Sequence, residues 1–190
     1  MDATIKRIIE AAILVFNTDP SATVETVAEK AGLTSRTLYR YFSERALLLD
    51  ACKETLARTC ETAMNEAFEK GTDALHQLEL TLYAGIKCGT KYAFFEKLNQ
   101  AIQQGTEQAK ENQFTHIQQR WLRLIKDLQE QAVITNELSP AWISRLFSGI
   151  INTTISATSA GDVAPNDVER FAWISFSNSL GIRHKTQGNT

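Results

Sequence analysis

Residues 23–42 read TVETVAEKAGLTSRTLYRYF, and they decide how the rest of the chain is understood. Thr23 stands where a hydroxyl can accept a backbone N–H and cap a short helix, whose buried side Val24, Val27, Ala28 and Ala31 then supply. Gly32 ends that helix, and Leu33 is placed to pack beneath it and beneath the next one. Thr34 caps this second helix, in which Leu38 and Phe42 point inward. Two helices meeting at Ala31-Gly32-Leu33-Thr34 predict a helix-turn-helix, because the glycine permits the sharp turn. Such a corner is in most proteins a purely structural device. What distinguishes this one is its second helix, where Ser35, Arg36, Thr37, Tyr39, Arg40 and Tyr41 crowd hydroxyls and guanidiniums together. Arginine pairs bidentately with guanine, serine and threonine bond several base edges, and tyrosine hydroxyls serve phosphate oxygens, so the stretch is dressed for DNA.

Working outward, Ile5, Ile9, Ala12 and Phe16 recur at helical spacing and predict a first helix that Asn17-Thr18-Asp19-Pro20 stops. Ser43 can cap a fourth helix, with Ala46, Leu47, Leu49 and Leu56 apolar, running to about Lys70 before Gly71. Further helices are expected over Asp73 to Gly89, Lys91 to Gln104 and Thr106 to Val133. Ser139-Pro140 then opens one through Trp142, Leu146, Phe147, Ile150 and Ile151 to about Ala160, and a last one starts at Asn166. Strand-like alternation is nowhere sustained. The expectation is an all-α chain of about nine helices: a three-helix DNA-binding domain over residues 1–50 and a helical bundle over residues 51–190.

With 43% hydrophobic residues in a chain of 190, there is enough apolar surface for a real core. A net charge of -2 excludes a generally basic nucleic-acid coat protein, and within the first fifty residues acids slightly outnumber bases, so DNA binding must rest on a local patch. Three cysteines, Cys52, Cys60 and Cys88, cannot all pair and show no metal-ligand spacing. With no leader or long apolar span, a reducing cytoplasm is expected and no membrane partner. His76, His116 and His184 are far apart, which argues against a metal site. Phosphate loops, nucleophile elbows and zinc-protease signatures are missing, so no enzyme and no cofactor are expected.

The order Thr23-Val24 to Ala28, Ala31-Gly32-Leu33-Thr34, Thr37-Leu38-Tyr39-Arg40-Tyr41-Phe42 and Arg45-Ala46-Leu47 resembles the signature of the TetR family of transcriptional regulators over about the first fifty residues. The resemblance implies that Ser35, Arg36 and Thr37 read bases, that Thr23, Thr34, Tyr39 and Tyr41 contact phosphates, that Arg45 clamps the DNA backbone at the fourth helix, and that Arg40 does either job. Two departures stand out. Arg36 occupies a position where the family often has a small residue, and Asn17-Asp19-Pro20 replaces a commoner glycine-plus-aromatic turn; the first implies an unusual operator preference.

The same resemblance implies a homodimer on a near-palindromic operator of double-stranded DNA, repression, and release by a small-molecule effector bound in the second domain. Tyr83, Tyr92, Phe95, Gln118 and Trp121 have the mix of aromatic lining and sparse polar groups that such a pocket needs. Phe147, Ile150, Ile151, Thr154, Phe171, Ile174 and Phe176 are candidates for the dimer interface. The competing reading is a non-catalytic helical protein-interaction module with a repurposed helix-turn-helix.

Overall fold

The computed structural model describes residues 2–103 and 115–182, without the side chains of residues 90–103 and 115. Among the described residues there are eight helices and no strand: α1 Ala3–Thr18, α2 Val24–Lys30, α3 Ser35–Tyr41, α4 Arg45–Lys70, α5 Ala74–Gln103, α6 Thr115–Glu130, α7 Pro140–Ala160 and α8 Val168–Ser179. No helix among them is long and apolar enough to cross a membrane. Two compact units emerge, one of Met1–Cys60 with Thr90–Glu111 and one of Glu61–Gly89 with Asn112–Thr190.

The first unit closes around apolar stripes that overlap the expected ones, with Ile8, Leu48 and Cys52 added, while Ala46 and Leu47, expected among the apolar positions of the fourth helix, are exposed. Ile8, Ile9, Ala12 and Phe16 of α1, Val24, Val27 and Ala28 of α2, Leu38 of α3, and Leu48, Cys52 and Leu56 of α4 are all buried in one cluster. Asp2 starts α1 by accepting from the Thr4 amide at 2.7 Å. The Cys52 thiol lies 3.9 Å from the Ile9 carbonyl oxygen, and its burial pushes its pKa up to about 12. All three cysteines are buried.

In the second unit Phe68, Leu78, Leu82, Ile117, Trp121, Leu124, Ile125, Leu128, Ile143, Phe176 and Leu180 form the core. Ser139 caps α7 by accepting from the Trp142 amide at 3.2 Å, with Pro140 in the first turn, as the sequence predicts. The loop before it is tied down by Gln129, whose Nε2 donates to the carbonyls of Thr135 at 2.9 Å and Leu138 at 2.8 Å.

One boundary differs from expectation. The chain does not break after Gly89; α5 continues through it, so that two expected helices are one. The glycine is used for packing instead. A Cβ at Gly85 would lie 2.6 Å from Ile151 Cδ1, and one at Gly89 would lie 2.6 Å from Ile155 Cδ1 and 2.9 Å from Ile151 Cγ2. The bare backbone of α5 is thus the seat for two isoleucines of α7. The expected start at Thr106 falls outside the described residues, and the described α6 begins at Thr115.

Candidate nucleic-acid interface

Three small devices set the α2–α3 corner. Thr23 accepts from the Thr26 amide at 3.3 Å and shares a 3.2 Å contact with the Thr26 hydroxyl. The chain leaves α2 through Gly32 at φ 63°, where the Gly32 amide donates to Glu29 O and the Leu33 amide to Ala28 O, both at 2.9 Å. Nothing lies within 4 Å of a Cβ built there, so glycine is demanded by the backbone angle and not by lack of room. Thr34 then accepts from the Thr37 amide at 3.2 Å, with the two hydroxyls 2.9 Å apart.

Leu38, fully buried, anchors α3 from beneath, which decides what its remaining sides show. Arg36, Tyr39 and Arg40 are exposed, Ser35 and Thr37 are partly covered, and Thr23 and Thr34 sit exposed at the starts of the two helices. Residues two apart on a helix point about 200° from one another. Accordingly Tyr41 packs against the core cluster while Tyr39 stands in solvent. The Arg40 guanidinium lies 5.2 Å from the centre of the Tyr41 ring. α3 carries two arginines and no acid, so the local charge is positive although that of the chain is not.

Two expected phosphate contacts have partners within the chain. Arg45 donates from Nη2 to the Pro20 carbonyl at 2.7 Å and lies 4.8 Å over the Phe16 ring, fastening the start of α4 to the α1–α2 corner. The Tyr39 hydroxyl donates to Glu25 Oε1 at 2.9 Å. The carboxyl of Glu25 is held below its ordinary range by its own backbone N–H, the Tyr39 hydroxyl and the Thr23 hydroxyl. The tyrosine is correspondingly harder to ionise, chiefly through that hydrogen bond. Glu25 carries no signal in the sequence, since its partner is fourteen residues away.

The pocket candidates separate. Trp121 is buried, its ring centre 5.2 Å from that of Phe147, and its Nε1–H has no hydrogen-bond partner among the described residues. Tyr83 is half-buried, and its hydroxyl donates to Glu79 at 2.6 Å. Burial first, and that carboxylate second, push its pKa well up. Gln118 is exposed, and the side chains of Tyr92 and Phe95 lie outside the described residues. Among the described residues no group of three His, Cys, Asp or Glu side chains is arranged to hold a metal ion.

The dimer candidates also divide. Phe176 is fully buried and packs edge-on against Phe147 with ring centres 5.6 Å apart, so it has no surface for a second copy and its expected interface role is withdrawn. Phe147 faces inward between Trp121 and Phe176, and Ile151 is turned onto Gly85 and Gly89. Ile150, Thr154 and Phe171 line an open groove of about 200 Å³ between α7 and α8, and Phe171 and Ile174 are 44% and 40% exposed.

Residues 8–52 match the model of the family described as bacterial regulatory proteins, tetR family. Similar solved structures include the TetR-like transcriptional regulator LfrR from Mycobacterium smegmatis in complex with proflavine, 22% identical over 95% of this chain and 97% of that one, with a TM-score of 0.72. The ketosteroid transcriptional regulator KstR2 of Mycobacterium tuberculosis is 13% identical over 95% of both chains, TM-score 0.75. The fatty acid degradation regulator FadR from Bacillus halodurans is 17% identical over 97% of this chain and 99% of that one, TM-score 0.70. At such identities the likeness is one of fold. No curated protein matches the chain.

Proposed function

We propose that the chain, whose residues 8–52 match the model of the tetR family of bacterial regulatory proteins, is a DNA-binding transcriptional regulator, and in particular a cytoplasmic, non-catalytic repressor. In this reading it holds a near-palindromic operator as a homodimer and leaves it when a small molecule binds the second unit. The observation that carries the DNA part is the α3 surface: Arg36, Tyr39 and Arg40 exposed on a helix whose other side is pinned by Leu38. Ser35, Arg36 and Thr37, at the start of α3, are the base readers. Thr23, Thr34, Tyr39 and Tyr41 are the phosphate contacts that set register, and Arg40 serves either. Arg45, already bonded to Pro20 and stacked on Phe16, supports the interface by fixing the corner and reaches phosphate only with what remains of its donors.

Dimerisation is supported by Phe171 and Ile174, apolar side chains that α8 leaves in solvent, beside the groove that Ile150 and Thr154 line. A two-fold pair would set two recognition helices on half-sites about 34 Å apart or a multiple of it. Effector binding is supported by the unpartnered Trp121 N–H within an aromatic core, a donor whose burial without an acceptor is unfavourable until a ligand supplies one. That one of the similar structures holds proflavine agrees with this. Release would follow if the ligand prefers an arrangement of the dimer whose recognition helices no longer match adjacent grooves.

The test is selection of the purified protein against random duplex DNA at moderate salt, with an Arg36→Ala/Tyr39→Ala variant alongside. An enriched inverted repeat, lost in the variant, is the expected result. No enrichment from an effector-free preparation would overturn the reading in favour of a protein-interaction module.

A further inference from the structure

The hydrogen bond between Tyr39 and Glu25 places an acid in the middle of a surface whose business is with phosphate. A tyrosine hydroxyl has one proton to give, and the oxygens of a phosphodiester only accept. While that proton is donated to Glu25 Oε1 at 2.9 Å, it is unavailable to DNA. Nor can the carboxylate stay where it is without cost once a phosphate arrives, because the two anions repel and no cation on α3 is bonded to Glu25 in this structure. Its neighbours there are its own backbone N–H and the hydroxyls of Thr23 and Tyr39. Thr23, which like Tyr39 belongs to the expected set of phosphate contacts, shares its hydroxyl with Thr26, so the geometric engagement of Glu25 is with Tyr39.

We propose that Glu25 is an internal competitor for the DNA backbone, a latch on the Tyr39 hydroxyl that phosphate must displace before the recognition helix can dock. The inference rests on the DNA-binding reading of the α2–α3 surface and adds to it a residue that weakens binding. The latch lowers affinity uniformly over operator sequences, since what it withholds is a phosphate contact and carries no base information. Charge-assisted hydrogen bonds between exposed groups are modest, so the effect is on the order of fivefold in affinity.

The experiment titrates the selected operator duplex with the full-length protein and with Glu25→Asp, Glu25→Gln, Tyr39→Phe and the Glu25→Asp/Tyr39→Phe pair, with thermal melts to confirm that each is folded. Glu25→Asp is the informative change because it keeps the charge and withdraws the carboxylate by one methylene. A latch predicts that Glu25→Asp binds about fivefold tighter, that it brings no gain when Tyr39 lacks its hydroxyl, and that Glu25→Gln, whose amide oxygen still accepts but carries no charge, gains through the lost repulsion of phosphate. Unchanged or weaker binding by Glu25→Asp, or an equal gain in the Tyr39→Phe background, overturns it. Protein that binds no duplex in any form removes the regulator reading and the latch together, whereas operator binding indifferent to Glu25→Asp overturns the latch alone. Tyrosine absorbance on alkaline titration gives a readout without DNA: Tyr39 should ionise at lower pH in Glu25→Asp than in the parent protein.

Discussion

Thr34 holds the start of α3 with a single hydroxyl, accepting from the Thr37 amide. Replacing it by alanine leaves that amide without its partner and should cost about 1 kcal/mol, read as a lower urea midpoint with an unchanged slope. Residues farther along α3 divide by what they touch rather than by what they support. Arg36→Ala should relax the base preference of the selected sites, while Tyr41→Phe should weaken binding to all of them alike; parallel selection and titration would show which positions change. Cys52 gives a prediction against pH. Its thiol is neutral and buried, with its pKa raised from 9.0 to about 12 by desolvation, so the unfolded chain ionises first as the solution turns alkaline. The stability that the neutral thiol contributes is complete below pH 9 and declines between pH 9 and about 12. Urea midpoints should fall across that window, and less steeply in Cys52→Ala.

At the scale of helices, the seam between α5 and α7 is the sharpest case. Alanine in place of glycine favours a helix by about 1 kcal/mol, but at Gly89 the new methyl would meet Ile151 Cγ2 at 2.9 Å as well as Ile155 Cδ1 at 2.6 Å. The Cγ2 of a β-branched residue cannot swing away without moving the whole side chain. Gly89→Ala should therefore lower stability by about 1–2 kcal/mol, whereas Gly85→Ala, which crowds chiefly the mobile Cδ1 of Ile151, should be close to neutral. Chemical denaturation of the two variants checks the difference. The same seam explains where the sequence could and could not be read. Caps at Thr23, Thr34 and Ser139 announce themselves because donor and acceptor sit three residues apart. Gly89 misleads because a glycine that stops a helix and a glycine that receives a neighbour look the same until the neighbour is known. Glu25 and Tyr39 on α2 and α3, and Arg45 with Pro20, are joined across the corner, and no local pattern marks such pairs. Phe176 lies two residues beyond Ile174, about 200° round the helix, so helical geometry turns it toward Phe147 while Phe171 and Ile174 face out, a separation that a list of apolar residues does not make.

At the scale of the whole molecule, the proposed pairing of two copies is tested on α8. Phe171 and Ile174 stand well exposed, so Phe171→Asp with Ile174→Asp should leave the folded unit intact and abolish pairing. Sedimentation should then report a monomer with an unchanged melting curve, and operator affinity should fall by orders of magnitude because each half-site is bound alone. An associating double variant would move the interface elsewhere. The burial of every cysteine makes the next step direct. A single cysteine introduced in place of the exposed Glu44, just ahead of α4, would be the one thiol that a maleimide dye reaches readily in the native protein. Donor and acceptor dyes on the two copies would turn the separation of the DNA-binding corners into a ruler, to be read with and without each candidate effector.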